Sequence, residues 1–186
     1  MNQEIHNAFE VIQNGGIILY PTDTVWGIGC DATNAEAVKK IYDLKQREES
    51  KSMIVLMNGE KMMYNVFKDI PEVAWQLIDL SEKPTTIILD NPKNVAPNLI
   101  SQDKSLGIRI VKEPFCFKLM ERMKKPLVST SANISGMFPP KSFKEIAPEI
   151  INGVDYVVNL QRDKICDKPS TIIKLSLDNQ VKIIRK

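Results

Sequence analysis

Apolar residues at Ile5, Ala8, Phe9 and Ile12 recur at helical spacing and stop at Gly15 and Gly16. This predicts a helix over 2–14 that leads into a short apolar strand at 17–20. Residues 20–29, YPTDTVWGIG, then place Pro21, Asp23, two threonines and two glycines where a continuing strand would want none. They predict a loop at a strand's carboxyl end, with Thr22, Asp23 and Thr24 as short polar groups and Gly27 and Gly29 letting backbone come close to a ligand. Thr33 or Asn34 can cap a helix running through Ala37, Val38, Ile41, Tyr42 and Leu44 to the charged run KQREESK at 45–51. A buried strand follows at 52–57, helices at 60–67 and 71–80, and strands at 85–89 and 106–111. A helix at 114–124 leads to the strand PLVST at 126–130 and the loop SANISG at 131–136. The remainder predicts a helix near 142–150 and strands at 156–159, 171–175 and 181–185.

Strands and helices interleave without a fixed repeat or linker, so the expected fold is α/β: a single domain over 1–186 with a twisted, mixed β-sheet flanked by helices. The length of 186 residues and the 43% apolar composition suit one domain with its own core. Twenty-five basic and 23 acidic side chains give a net charge of +2, so any attraction for polyanions has to come from local clustering. Cys30, Cys116 and Cys166 are far apart and in no CxxC pair, which argues against a disulfide framework or a zinc site and fits a reducing cytoplasm. No window resembles a signal peptide or a membrane anchor. The usual nucleotide loops and the GxSxG elbow are absent, and the one histidine, His6, sits in the first helix with a solvated or capping role expected. A histidine-dependent triad is therefore not expected.

Four segments carry polar chemistry together: PTDTVWG at 21–27, KQR with Lys51 after it, GIR at 107–109 and STSANISG at 129–136. Each alone reads as a loop or a helix end. Their order and spacing resemble the YrdC family of threonylcarbamoyl-AMP synthases, from GGIILYPTDTVWG to STIIKL and the terminal IIR. The resemblance implies the YrdC/RibB-like fold with an open, concave basic cavity, and an enzyme that condenses L-threonine, bicarbonate and ATP to threonylcarbamoyl-adenylate and pyrophosphate for the t6A modification of tRNA. All three reactants carry carboxylate, bicarbonate or phosphate groups, so the site needs cations with reach and hydroxyl donors. No enzyme nucleophile is required, because a carbamate oxygen attacks the α-phosphorus. Mg²⁺ is expected with ATP, held by phosphates and water rather than by a carboxylate cage.

Carried over by matching positions, the resemblance implies Lys45, Arg47, Ser131 and Asn133 as the catalytic signature. It implies ATP contacts from Arg47, Lys51, Ser105, Ser131 and Arg185, and threonine contacts from Thr24, Arg109, Ser129 and Ser170. Val25, Trp26 or Leu56 would offer an apolar wall to the threonine methyl. The chain departs from the family pattern at Trp26, where Tyr is usual, at Ser52 and Val111, where Pro is common, and at Leu56, where some members place a threonine-contacting His. The PGPLT segment reads EKPTT, and the short single-domain form, without the extra C-terminal domain of longer relatives, is expected.

Other readings remain open: a YciO-like paralogue, a carbamoyltransferase-type domain of the kind found within hydrogenase-maturation proteins, and a module for tRNA or double-stranded RNA. The last would use Lys39, Lys40, Lys45, Arg47 and Lys51, among which Asp43, Glu48 and Glu49 are interspersed. A downstream threonylcarbamoyl-transferase complex is the expected recipient of the adenylate.

Overall fold

The computed structural model describes residues 1–49, 52–166, 169–176 and 180–185. Helix α1 (Asn2–Gln13) buries Ile5, Ala8 and Ile12. The chain then turns at Gly15, whose φ of 76° suits glycine, into β1 (Ile18–Tyr20). After the PTDT loop it returns antiparallel as β2 (Gly27–Gly29), Ile18 lying opposite Gly29 and Tyr20 opposite Gly27. This strand corrects the expectation that 20–29 is all loop. The glycines are strand residues here: a Cβ on Gly29 would stand 2.2 Å from the Val128 carbonyl oxygen and 2.8 Å from Cε1 of Tyr20. Gly29 therefore makes room for a tyrosine ring and a neighbouring strand, not for a ligand.

Asn34 caps α2 (Ala35–Lys45) by accepting from the Ala37 amide. Then come β3 (Ile54–Met57), α3 (Glu60–Val66), α4 (Glu72–Leu80), β4 (Thr85–Asp90) and β5 (Ser105–Ile110). Helix α5 (Pro114–Met123) starts on a proline that lacks only an amide the first turn would leave unpaired, with Glu113 accepting from Cys116. It leads into β6 (Leu127–Ser131). The helix expected near 142–150 is instead a short 3₁₀ turn at Phe143–Glu145 followed by α6 (Pro148–Gly153), because Pro148 can begin a helix but not sit inside one. Strands β7 (Tyr156–Val157), β8 (Thr171–Leu175) and β9 (Val181–Arg185) complete one mixed sheet in the order β7-β1-β2-β6-β3-β5-β4-β8-β9.

Alternation along the strands divides the core into two. Ile17, Leu19, Ile28, Val55, Met57, Ile87, Ile108, Val128 and Ile173 point to one face and pack with residues of α2, α3, α4 and α6. Ile18, Tyr20, Leu56 and Leu127 point to the other, where α1 and α5 cover them. By the same alternation Gly27, Ile54, Arg109, Ser129, Ser131 and Ile172 belong to that second face. The two helices cover it only in part, and the uncovered stretch is where a cavity opens. All three cysteines are buried and none is in a disulfide. His6 is half exposed and meets Arg122 at 2.9 Å. Among the described residues, no helix is long and apolar enough to cross a membrane.

Candidate active site

The cavity has a volume of about 260 Å³. Its floor is the sheet. Ser129 stands opposite Ile54 and Ser131 opposite Gly27, so strand register brings two hydroxyls two residues apart onto one wall. A Cβ on Gly27 would lie 3.3 Å from both Ser129 Oγ and Thr22 Cγ2, so glycine keeps this part of the floor low.

The PTDT loop closes one side and holds its own shape. Thr22 Oγ1 donates to the Val25 carbonyl at 2.7 Å and accepts from the Thr24 amide at 3.0 Å. The same oxygen lies 3.0 Å from Thr24 Oγ1. With the Thr22 proton committed to Val25, Thr24 is the donor of that pair, and its remaining lone pairs suit an N–H or O–H of a ligand. Asp23 between them accepts from Nη2 of Arg109 at 2.9 Å. Arg109 is 3% exposed, and its Nε is buried without a hydrogen-bond partner. An unsatisfied guanidinium N–H at that depth costs free energy that an anionic ligand would recover.

Two further arginines reach the cavity from shallower positions. Helix α2 ends with Gln46 at φ 50°, a left-handed cap in which the Gln46 amide donates to Asp43 and the Arg47 amide to Tyr42. This turn sends Arg47 to the cavity, where Nη2 donates to the Ser52 carbonyl at 3.0 Å. Arg185 on β9 donates through Nε and Nη2 to the Ser170 carbonyl at 3.0 and 2.8 Å, and the Ser170 hydroxyl lies 2.8 Å from that of Thr86. Burial lowers the Arg47 guanidinium from its ordinary value, and burial followed by repulsion from Arg109 lowers Arg185. Three cations converge, and no carboxylate lines the cavity among the described residues. The arrangement is built to take anions.

Of the expected site residues, Thr24, Arg47, Arg109, Ser129, Ser131, Ser170 and Arg185 line this cavity. Lys51 lies outside the described residues. Ser105 does not line it: at the far end of β5 from Arg109, its hydroxyl bonds Asp103 at 2.7 Å and Ser101 at 2.9 Å. Asn133 does not line it either, donating through Nδ2 to the carbonyls of Ile134 and Met137. Lys45 is 1% exposed and donates through Nζ to the carbonyls of Ser131 and Asn133. Of the expected apolar wall, Val25 is present. Trp26 is corrected to a core residue, 1% exposed with its ring 5.0 Å from that of Phe143, and Leu56 is fully buried under α1 and α5. Met53, Ile54 and Ile172 supply apolar lining in their place, and Pro139 and Pro169 close the rim. The two-residue spacings Ile54–Leu56 and Ser170–Ile172 carried a signal for these faces. Asp23 as the partner of Arg109 had none, since the two are 86 residues apart.

A family model covering Sua5, YciO and YrdC proteins, described as "Telomere recombination", matches residues 10–186. A Methanocaldococcus jannaschii protein provisionally named threonylcarbamoyl-AMP synthase is 37% identical over 92% of this chain and 80% of its own. The threonylcarbamoyl-AMP synthase of Vibrio parahaemolyticus is 31% identical over 91% of each chain. Escherichia coli YciO superposes with a TM-score of 0.87 at 25% identity, covering 100% of this chain and 90% of that one. P. abyssi Sua5 complexed with L-threonine gives 0.81 at 26% identity over 94% of this chain, which spans about half of that protein (52%).

Proposed function

Since the chain belongs to the Sua5/YciO/YrdC family, we propose that it is a threonylcarbamoyl-AMP synthase, a nucleotidyltransferase acting on L-threonine, bicarbonate and ATP. The names of its curated relatives support this over a YciO-like role. The observation that carries the reading is the graded burial of three arginines around one hydroxyl-lined cavity: Arg109 is buried, Arg47 half-buried and Arg185 exposed. A small carboxylate fits the deepest cation, and a longer polyphosphate fits the outer pair. L-Threonine would place its carboxylate on Arg109, its amine near the lone pairs of Thr24, and its methyl against Val25 or Ile54. The triphosphate would lie across Arg47, Arg185 and Ser131.

The chemistry then needs positioning and charge. The threonine amine combines with bicarbonate, losing water, to give a carbamate. A carbamate oxygen attacks the α-phosphorus, and the bond to the β,γ-pyrophosphate breaks. Arg47 and Arg185 meet the charge that develops on the leaving group, and the sheet floor holds the nucleophile in line. No cluster of three or more histidine, cysteine or acidic side chains that could hold a metal occurs among the described residues. The hydroxyls of Ser129 and Ser131 on the lining fit a Mg²⁺ ion carried by the triphosphate and water. Bound there, Mg²⁺ would neutralise phosphate charge. The acyl-adenylate product is labile, so a threonylcarbamoyl-transferase acting on tRNA is the expected consumer. Calorimetry tests the reading: ATP and L-threonine should each bind the folded protein, and failure of both would remove it.

A further inference from the structure

Lys45 is the last residue of α2 and is 1% exposed, a rare setting for a lysine. Its ammonium donates to the carbonyls of Ser131 and Asn133, and its own carbonyl accepts from the Ser135 amide at 2.8 Å. One residue thus holds the loop after β6 at three alternate positions, 131, 133 and 135. Two residues further on, the same chain delivers Arg47 to the cavity, and the held loop delivers Ser131 and, beyond it, Pro139. The side chain itself is not on the lining. Burial, followed by repulsion from Arg47, pulls the ammonium down to about 7.

We infer that Lys45 is a positioning residue whose ammonium clasps the 131–135 loop to the end of α2, so that Ser131 and Arg47 face one nucleotide, and that it does not touch substrate. Without the clasp, two buried carbonyls lose their donor and the loop is free to move off Arg47. Asn133 belongs to the same device, pinning the loop's far side through Ile134 and Met137.

The inference rests on the nucleotide-binding reading, and a double-mutant cycle on ATP affinity separates the two. If wild-type protein does not bind ATP, the functional reading falls and this inference with it. Given wild-type binding, Lys45→Met should weaken ATP by roughly 5 to 30-fold, the loss of one or two hydrogen bonds. It should leave threonine affinity within about 2-fold, because Arg109 and Thr24 are held by other elements. The double variant Lys45→Met/Ser131→Ala should bind ATP no more weakly than Lys45→Met alone. Multiplying losses would mean that Lys45 contacts the nucleotide directly, and equal losses for both ligands would mean a merely structural role; either overturns the inference. If Lys45→Met does not fold, NMR of the wild type decides the matter. The Lys45 ammonium protons should stay slowly exchanging and coupled to the carbonyls of Ser131 and Asn133 with ATP bound. Transfer of those protons to phosphate would overturn the clasp.

Discussion

Replacing Arg109 with methionine removes the deepest charge of the cavity while keeping much of the side chain's bulk. The guanidinium has five N–H donors. One pairs with Asp23, and Nε has no partner. A charge-assisted hydrogen bond to a carboxylate is worth ~1.5 to 3 kcal/mol, so threonine affinity should fall roughly 10 to 150-fold. The variant also strands Asp23. Because that carboxylate is 25% exposed, the stability cost should be about 1 to 2 kcal/mol, below the cost for a fully buried orphan charge. ATP should feel little of this, since its phosphates are assigned to Arg47 and Arg185. Calorimetric titration of both ligands into Arg109→Met, with thermal unfolding run alongside, gives all three quantities. Unchanged threonine affinity in a folded variant, or a loss of ATP affinity as large as that of threonine, would refute the assignment by depth.

Arg47→Ala should lower kcat/KM for ATP roughly 10 to 150-fold with unfolding nearly unchanged, read from steady-state kinetics and a thermal melt. Gly29→Ala should destabilise by about 3 kcal/mol, or ~6 to 12 °C in Tm, because β2 must move off Val128 and Tyr20; Gly27→Ala should instead weaken ligand binding more than stability. The Lys45 ammonium sits at about 7 when folded and 10.5 in its ordinary state, so the stability this group allows is present above 10.5 and lost as pH falls through 7. Denaturant unfolding from pH 6 to 10 should show wild type gaining stability over Lys45→Met as pH rises, and a gap flat in pH would contradict this.

The fold was legible because its strands and helices carry clean periodicities. The alternation of Ile54, Leu56 and Ser129, Ser131, with the helical stripe of Ile5, Ala8 and Ile12, placed elements within a few residues of their bounds. Strand β2 was hidden by its glycines. They have poor strand propensity and are there because Tyr20 lies across them, a contact that no local pattern reveals. The hydroxyls and arginines of the site were readable as motif residues. What they face was not: Ser131 and Lys45 stand next to one another in the motif logic, yet one lines the cavity and the other holds it in shape. Trp26 shows the same limit. An aromatic residue in a polar loop reads as a ligand wall, whereas packing against Phe143 turns it inward.

The central claim is that this cavity joins a carbamate of threonine to the α-phosphate of ATP. Incubation with ATP, L-threonine and labelled bicarbonate should release pyrophosphate only when all three are present, with one bicarbonate carbon retained in an adenylate for each pyrophosphate formed. Pyrophosphate release that ignores bicarbonate would contradict it in favour of plain amino-acid adenylation, and no release from a folded protein that still binds tRNA would leave an RNA-binding module in its place.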